Sequence, residues 1–317
     1  MTKFEEFSYT TQANHFSQIN QFPESLTSSW LDFSTADSWR HQRAFEAAEL
    51  LTTDLSLTWL TIGDGRLGID SIRIKNFGFK SVLPTDISSH LLEVSQRRGH
   101  IDAFQIENAE KLSFQDSEFD LVFCKESLHH FPRPFQALYE MNRVTTKAMV
   151  LIEPNDPFQA KVEFPNQFRN ALERVTKPLR RITRRFAYSG VVTEIVYNAP
   201  GYEPSGNYTY AFSPRDIVKF AFGLNLEAVA FKGLNDHYIE GCEFEPADPT
   251  RSKVFEEIQK NVNSKDRACL NGEALPDLYM YIIFKDNKLF AEKRQSLEAF
   301  GWTIVETCGN PYIERPQ

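Results

Sequence analysis

"LTWLTIGDGRLGIDS", Leu57 to Ser71, runs a short apolar stretch straight into three glycines. Gly63, Gly65 and Gly68 stand in a G-x-G-x-x-G spacing, after a predicted strand and before a predicted helix. Glycines at such a turn let the backbone bend sharply and let a ligand approach without a Cβ in the way. The helix start behind them offers N–H groups that attract a carboxylate or phosphate. Asp86 closes the next apolar run, where a carboxylate can accept from both hydroxyls of a ribose. Taken alone, this pattern suits a nicotinamide dinucleotide as well as S-adenosylmethionine.

Outward from the turn, "LTWLTI", "SVLPTD", "FDLVFC" and "AMVLIEP" are apolar runs bounded by turn signals, as buried parallel strands read. Helical segments are expected between them over Gly68–Phe77, Ser88–Arg98 and Pro134–Arg143, with Ser88 or Ser89 as a cap. The alternation predicts an α/β fold, a Rossmann-like open and mostly parallel sheet flanked by helices. Ahead of it, residues 1–54 are expected to form an N-terminal helical segment, with Asp37 or Ser38 capping a helix whose Phe45, Ala48 and Leu51 or Leu50 share a face. Residues 55–155 and 207–285 are expected to build the ligand-binding domain. Residues 156–206 break the rhythm with prolines and a basic helical stretch, and are read as an inserted lid after the fifth strand. Residues 286–317 form a C-terminal extension with one helix, "KLFAEKRQSLEAFG", and an extended "WTIVET".

A hydrophobic content of 41% provides for a substantial core, and a net charge of −8 argues against nucleic acid as a partner. Cys124, Cys242, Cys269 and Cys308 form no CxxC pair, so neither a zinc site nor a disulfide framework is expected, and the expected setting is the cytoplasm. No apolar run approaches the ~20 residues of a transmembrane helix.

The next segment chooses between the two cofactors. "IENAEKLSFQDSEFDLVFCKESLHHFPRPFQALYEMNRV", Ile106 to Val144, resembles class I S-adenosylmethionine-dependent methyltransferases. The carrying residues are Asn108-Ala109-Glu110, Leu112, Phe114, Phe119-Asp120 and Leu128-His129-His130, with "LIEP" at Leu151–Pro154 as the fifth strand. The resemblance implies that Gly63 and Gly65 face the methionine portion of the cofactor and that Asp86 holds the ribose. It implies that Asn108 bonds the adenine amine, that Ala109 and Glu110 lie beside it, and that Ile87 packs on the ring. Lys125, at the end of the fourth strand, is grouped with these cofactor residues, as is Gly68. Two positions depart from the family: Thr61 stands where an acid is usual, with Asp64 able to take over its polar role, and Asn108 replaces an Asp. No metal is implied.

An oxygen acceptor needs a base to remove its proton. His129 and His130 are the first candidates, with a purely structural turn as the alternative. His237, beside Asp236 in "GLNDHY", is the next. Glu153 ends the fifth strand and either faces the acceptor or caps the sheet. The basic run "RNALERVTKPLRRITRRF" offers Arg181 and Arg184 to an anionic acceptor, or is a solvated helix face. Tyr208 and Tyr210 could stack on a sugar, or pack beneath the insertion. The expected activity is O-methylation of a small molecule or saccharide. The "WLTIGDGRLG" form is similar to that of methyltransferases associated with surface-polysaccharide synthesis. The alternatives are a cofactor-binding protein without turnover and a nicotinamide-dependent oxidoreductase.

Overall fold

In the computed structural model, which describes residues 3–14, 24–156 and 201–313, one eight-stranded sheet forms the centre. The strands are β1 (Trp59–Ile62), β2 (Val82–Asp86), β3 (Gln105–Ile106), β4 (Phe119–Lys125), β5 (Thr145–Pro154), β6 (Ala228–Leu234), β7 (Leu278–Phe284) and β8 (Thr303–Glu306). Their order is β3-β2-β1-β4-β5-β7-β6-β8. The four apolar runs of the first half pair in parallel, together with β3. β7 then runs antiparallel to both β5 and β6, and β8 antiparallel to β6. The sheet is therefore mixed, with the expected parallel half and its antiparallel pairs confined to the β7, β6 and β8 side. An apolar run buried on both faces has the same composition whichever way it points.

The central strands alternate between two cores. Trp59, Leu121, Phe123, Val150 and Ile152 enter one, and Leu60, Val122, Cys124, Met149 and Leu151 enter the other. The first core is covered by Phe45, Ala48 and Leu51 and by Leu289, Phe290 and Leu297, so the N-terminal and C-terminal segments both pack on the sheet. The cap of α3 (Ala36–Gln42) is Thr35, whose hydroxyl accepts from the Ser38 N–H, and not Asp37 or Ser38. Asp37 instead pairs with Arg40 at 2.7 Å.

The helices α5 (Ile69–Asn76), α6 (His90–Arg97) and α7 (Pro134–Val144) fall where the pattern predicts them. Ser89 is the residue before α6, but its hydroxyl donates to Glu93 and makes no cap bond. α1 (Lys3–Ala13) lies within the expected N-terminal helical segment, while the long helix Lys253–Leu270 goes beyond the sequence reading. No described helix is long and apolar enough to cross a membrane.

Candidate active site

The turn after β1 is built by contacts within the chain. Gly63 has a left-handed φ of +73°, and a Cβ there would collide with the side chain of Ser127. A Cβ on Gly65 would stand 2.6 Å from the carboxyl carbon of Asp86. The space at both glycines is thus taken by neighbouring strand ends, where a close ligand was expected. Asp86 accepts the Gly65 N–H at 2.9 Å and the Ser88 N–H at 2.7 Å, which fixes its carboxylate at the end of β2. Gly68, at φ +69°, precedes α5 and lies off the cavity.

Asp64 does something the spacing did not announce. Its buried carboxylate accepts from the Asp70 N–H at 3.0 Å, the Ser71 N–H at 2.9 Å and the Thr61 hydroxyl at 2.8 Å. The first amides of α5 are therefore satisfied by the chain itself instead of waiting for a ligand. Burial, and then the neighbouring charge of Asp70, push the Asp64 carboxyl well above the ordinary range. Thr61 is fully buried behind the turn and supports Asp64.

A cavity of about 460 Å³ opens at the carboxyl ends of β1, β2 and β4. Ile87, Asn108, Ala109, Phe131 and Pro132 line one end. Asn108 there accepts the Glu110 N–H at 3.0 Å through its side-chain carbonyl, which keeps a second lone pair. Glu110, also on the wall and buried, accepts from the Tyr9 hydroxyl at 2.6 Å and from Arg133 at 2.6 and 2.7 Å. At the other end Arg66 stacks over Trp30 at 4.0 Å. Lys125, beside His41 at 3.2 Å and paired with Glu126, is held above its usual range: the charges of Glu126 and Asp70 outweigh its burial.

Tyr9, Gln12, Trp30 and His41 reach this wall from the N-terminal segment. Sequence reading missed them. Their only signal was an aromatic, polar composition, because nothing local tells where a distant helix will pack.

The two histidines part company. His129 is buried and its Nδ1 meets Glu153 at 2.6 Å. Glu153, fully buried, also accepts the N–H groups of Ser127 and Leu128 at 3.2 and 2.9 Å. It thereby closes the turn after β4 and is not part of the cavity lining, the sheet-capping alternative. His130 lies on the cavity wall, with Nδ1 paired to Glu203. The two rings lie 3.9 Å apart between centroids.

Burial favours neutral His129, but the hydrogen bond and charge of Glu153 outweigh it and raise the imidazole pKa. Burial, followed by the charge on His129, lowers that of His130. The sign for stability follows. The His129–Glu153 contribution is complete below the unfolded histidine value of about 6.5 and is lost as pH rises through the raised native value. Urea unfolding between pH 5 and 9 is expected to show this part of the stability declining on the alkaline side.

Other predicted residues lie elsewhere. His237 is off the cavity, and the carboxylate of its neighbour Asp236 accepts from Arg40 at 2.8 Å and from the His237 backbone N–H at 2.8 Å. Tyr208 and Tyr210 pack edge to face at 5.3 Å in the 201–210 hairpin, outside the cavity lining. Arg181 and Arg184, with the rest of the basic run, lie outside the described residues.

A ligand cavity at the carboxyl ends of parallel strands, beside the glycine turn, places the chain among open α/β folds that hold nucleotide-like cofactors. Residues 60–152 match the methyltransferase domain family, and the chain is similar there to class I S-adenosylmethionine-dependent methyltransferases. No curated protein matches it. Among solved structures it is similar to the YcgJ protein from Bacillus subtilis, at 17% identity over 78% of this chain and 99% of that one, with a TM-score of 0.46. It is also similar to a SAM-dependent methyltransferase from Methanosarcina mazei, at 17% identity, 74% and 94% coverage and a TM-score of 0.41. A shorter likeness, 21% identical over 36% of each chain with a TM-score of 0.32, is to the trans-methyltransferase CalH in complex with SAH.

The cavity fits the cofactor of this class, S-adenosylmethionine. Its walls offer an apolar slot with an amide at one end and the carboxylate of Asp86 beside the turn. Arg66, Asp70, Lys125 and Glu126 at the other end match a zwitterionic amino-acid tail.

Proposed function

We propose that this chain transfers the methyl group of S-adenosylmethionine to an oxygen of a small-molecule or saccharide acceptor, with His130 as the base. The observation that carries this reading is a histidine on the cavity wall whose Nδ1 is held by a carboxylate. In this assignment Asp86 binds the ribose hydroxyls, Asn108 and Ala109 the adenine edge, and Ile87 its face. Gly63 and Gly65 shape the floor under the methionine portion, while Arg66 and Lys125 face its carboxylate. Bound there, the cofactor supplies a methyl group on a positively charged sulfur.

The chain's own part is to align the acceptor and to remove its proton. A hydroxyl proton passes to Nε2 of His130, and Glu203 on Nδ1 steadies the imidazolium that results. A neutral amine needs no such base before attack, so the pair favours an oxygen acceptor. Arg181 and Arg184 are assigned to an anionic group of the acceptor, on the strength of their place in the basic run between β5 and the hairpin.

Asp86→Ala is expected to weaken S-adenosylmethionine binding roughly ten- to a hundredfold, the loss of hydrogen bonds to a charged acceptor worth about 1.5–3 kcal/mol. Calorimetry reads this directly, and unchanged affinity would move the ribose elsewhere. The activity itself is tested by incubating the chain with S-adenosylmethionine labelled in the methyl group and with hydroxylated small molecules, monosaccharides and amines. Label is expected in hydroxylated acceptors. Transfer confined to amines would end the oxygen reading.

A further inference from the structure

Asn207 is fully buried beside the cavity, and its whole amide is spent on that wall. Its Nδ2 donates to the backbone carbonyl of His130 at 2.7 Å and to Oε2 of Glu203 at 2.9 Å. Its Oδ1 accepts from the Ser205 hydroxyl, and its own carbonyl accepts the Glu203 N–H at 3.0 Å. The other side-chain contacts of Glu203 Oε2 are longer, 3.4 Å to the Ser205 hydroxyl and 3.5 Å to Gln12. One nitrogen thus grips both the carboxylate that meets the His130 ring and the backbone that carries that ring.

Resting on the reading of His130 as a base, we propose that Asn207 is the positioning residue of the His130–Glu203 pair. It fixes the carboxylate relative to the histidine so that Nδ1 keeps its proton and Nε2 stays open to accept one. The hydrogen bond at one ring nitrogen decides the state of the other, so misplacing Glu203 releases the tautomer. The charged groups around His130 are Glu203 from the hairpin, the adjacent His129, whose ring is tilted by 44° to its own, and Glu153 behind His129. Changing Asn207 leaves the last two in place. The consequence is a base assembled only when the 201–210 hairpin is seated, since Tyr210 N–H also bonds the His129 carbonyl at 3.1 Å.

The test uses the full chain with nitrogen-15-labelled histidine and long-range proton–nitrogen NMR, and needs no acceptor. In the unaltered protein, neutral His130 is expected almost wholly in the Nδ1–H form. In Asn207→Ala that form is expected to fall to a minority. Asn207→Asp keeps the volume but lacks both donors, is expected to behave the same way, and carries the test if the alanine variant does not fold. Glu203→Ala separates the two layers of the claim. Loss of the Nδ1–H form in Glu203→Ala but not in the Asn207 variants would overturn the positioning role and leave the pair standing. Its retention in Glu203→Ala as well would remove the pair and the proposed base together.

Discussion

His130→Ala is expected to lower the rate of methyl transfer to a hydroxylated acceptor by about 10²–10⁴-fold, the range for loss of a positioned base. Affinity for S-adenosylmethionine is expected to stay close to that of the unaltered chain, because no hold on the cofactor is assigned to the His130 side chain. The split between rate and cofactor affinity is the informative part. Steady-state kinetics beside calorimetry measure both. A parallel loss of the two would mean that His130 shapes the cavity and does not act on the acceptor. A neutral histidine is required for the role, and the burial and neighbouring charge that lower the His130 pKa favour the neutral form at physiological pH.

Glu153→Ala has the largest expected effect on stability, about 3–5 kcal/mol, the usual cost of removing one partner from a buried ion pair. Three donors lose their acceptor at once: the Ser127 and Leu128 amides and the His129 imidazole. Glu153→Gln keeps an acceptor for the amides and is expected to lose less. Both substitutions remove the cause of the raised His129 pKa, so the decline of stability on the alkaline side is expected to flatten in each. Urea unfolding at several pH values distinguishes this from a simple packing defect, which would lower stability without changing its pH dependence.

The reasons some features were legible in the sequence and others were not are physical. β1, β2, β4 and β5 are legible because a strand buried on both faces must be apolar along its length. Direction is not written in such a run, which is why the antiparallel sense of β7 is not legible. The helix Lys253–Leu270 buries only Phe255, Ile258 and Val262, three contacts in a charged stretch, and leaves a faint pattern. At the site, the glycine turn and Asp86 are legible, but the reason for the glycines is not. They make room for Ser127 and Asp86, groups brought in from other strands. His129 and His130 are indistinguishable as neighbours in sequence, and only the positions of Glu153 and Glu203 separate a buried ion pair from a cavity-facing histidine. Glu203, Asn207, Tyr9 and Gln12 come from segments remote in the chain from the motifs they complete.

The account rests most heavily on the atom that receives the methyl group. Carbon-13-labelled methyl S-adenosylmethionine, incubated with the full chain and a panel of hydroxylated small molecules and monosaccharides, allows that atom to be identified by NMR of the product. The expected result is an O-methyl product that forms with the unaltered chain and is nearly lost with His130→Ala. An N-methyl or S-methyl product, or an O-methyl product formed at the same rate without His130, would contradict it.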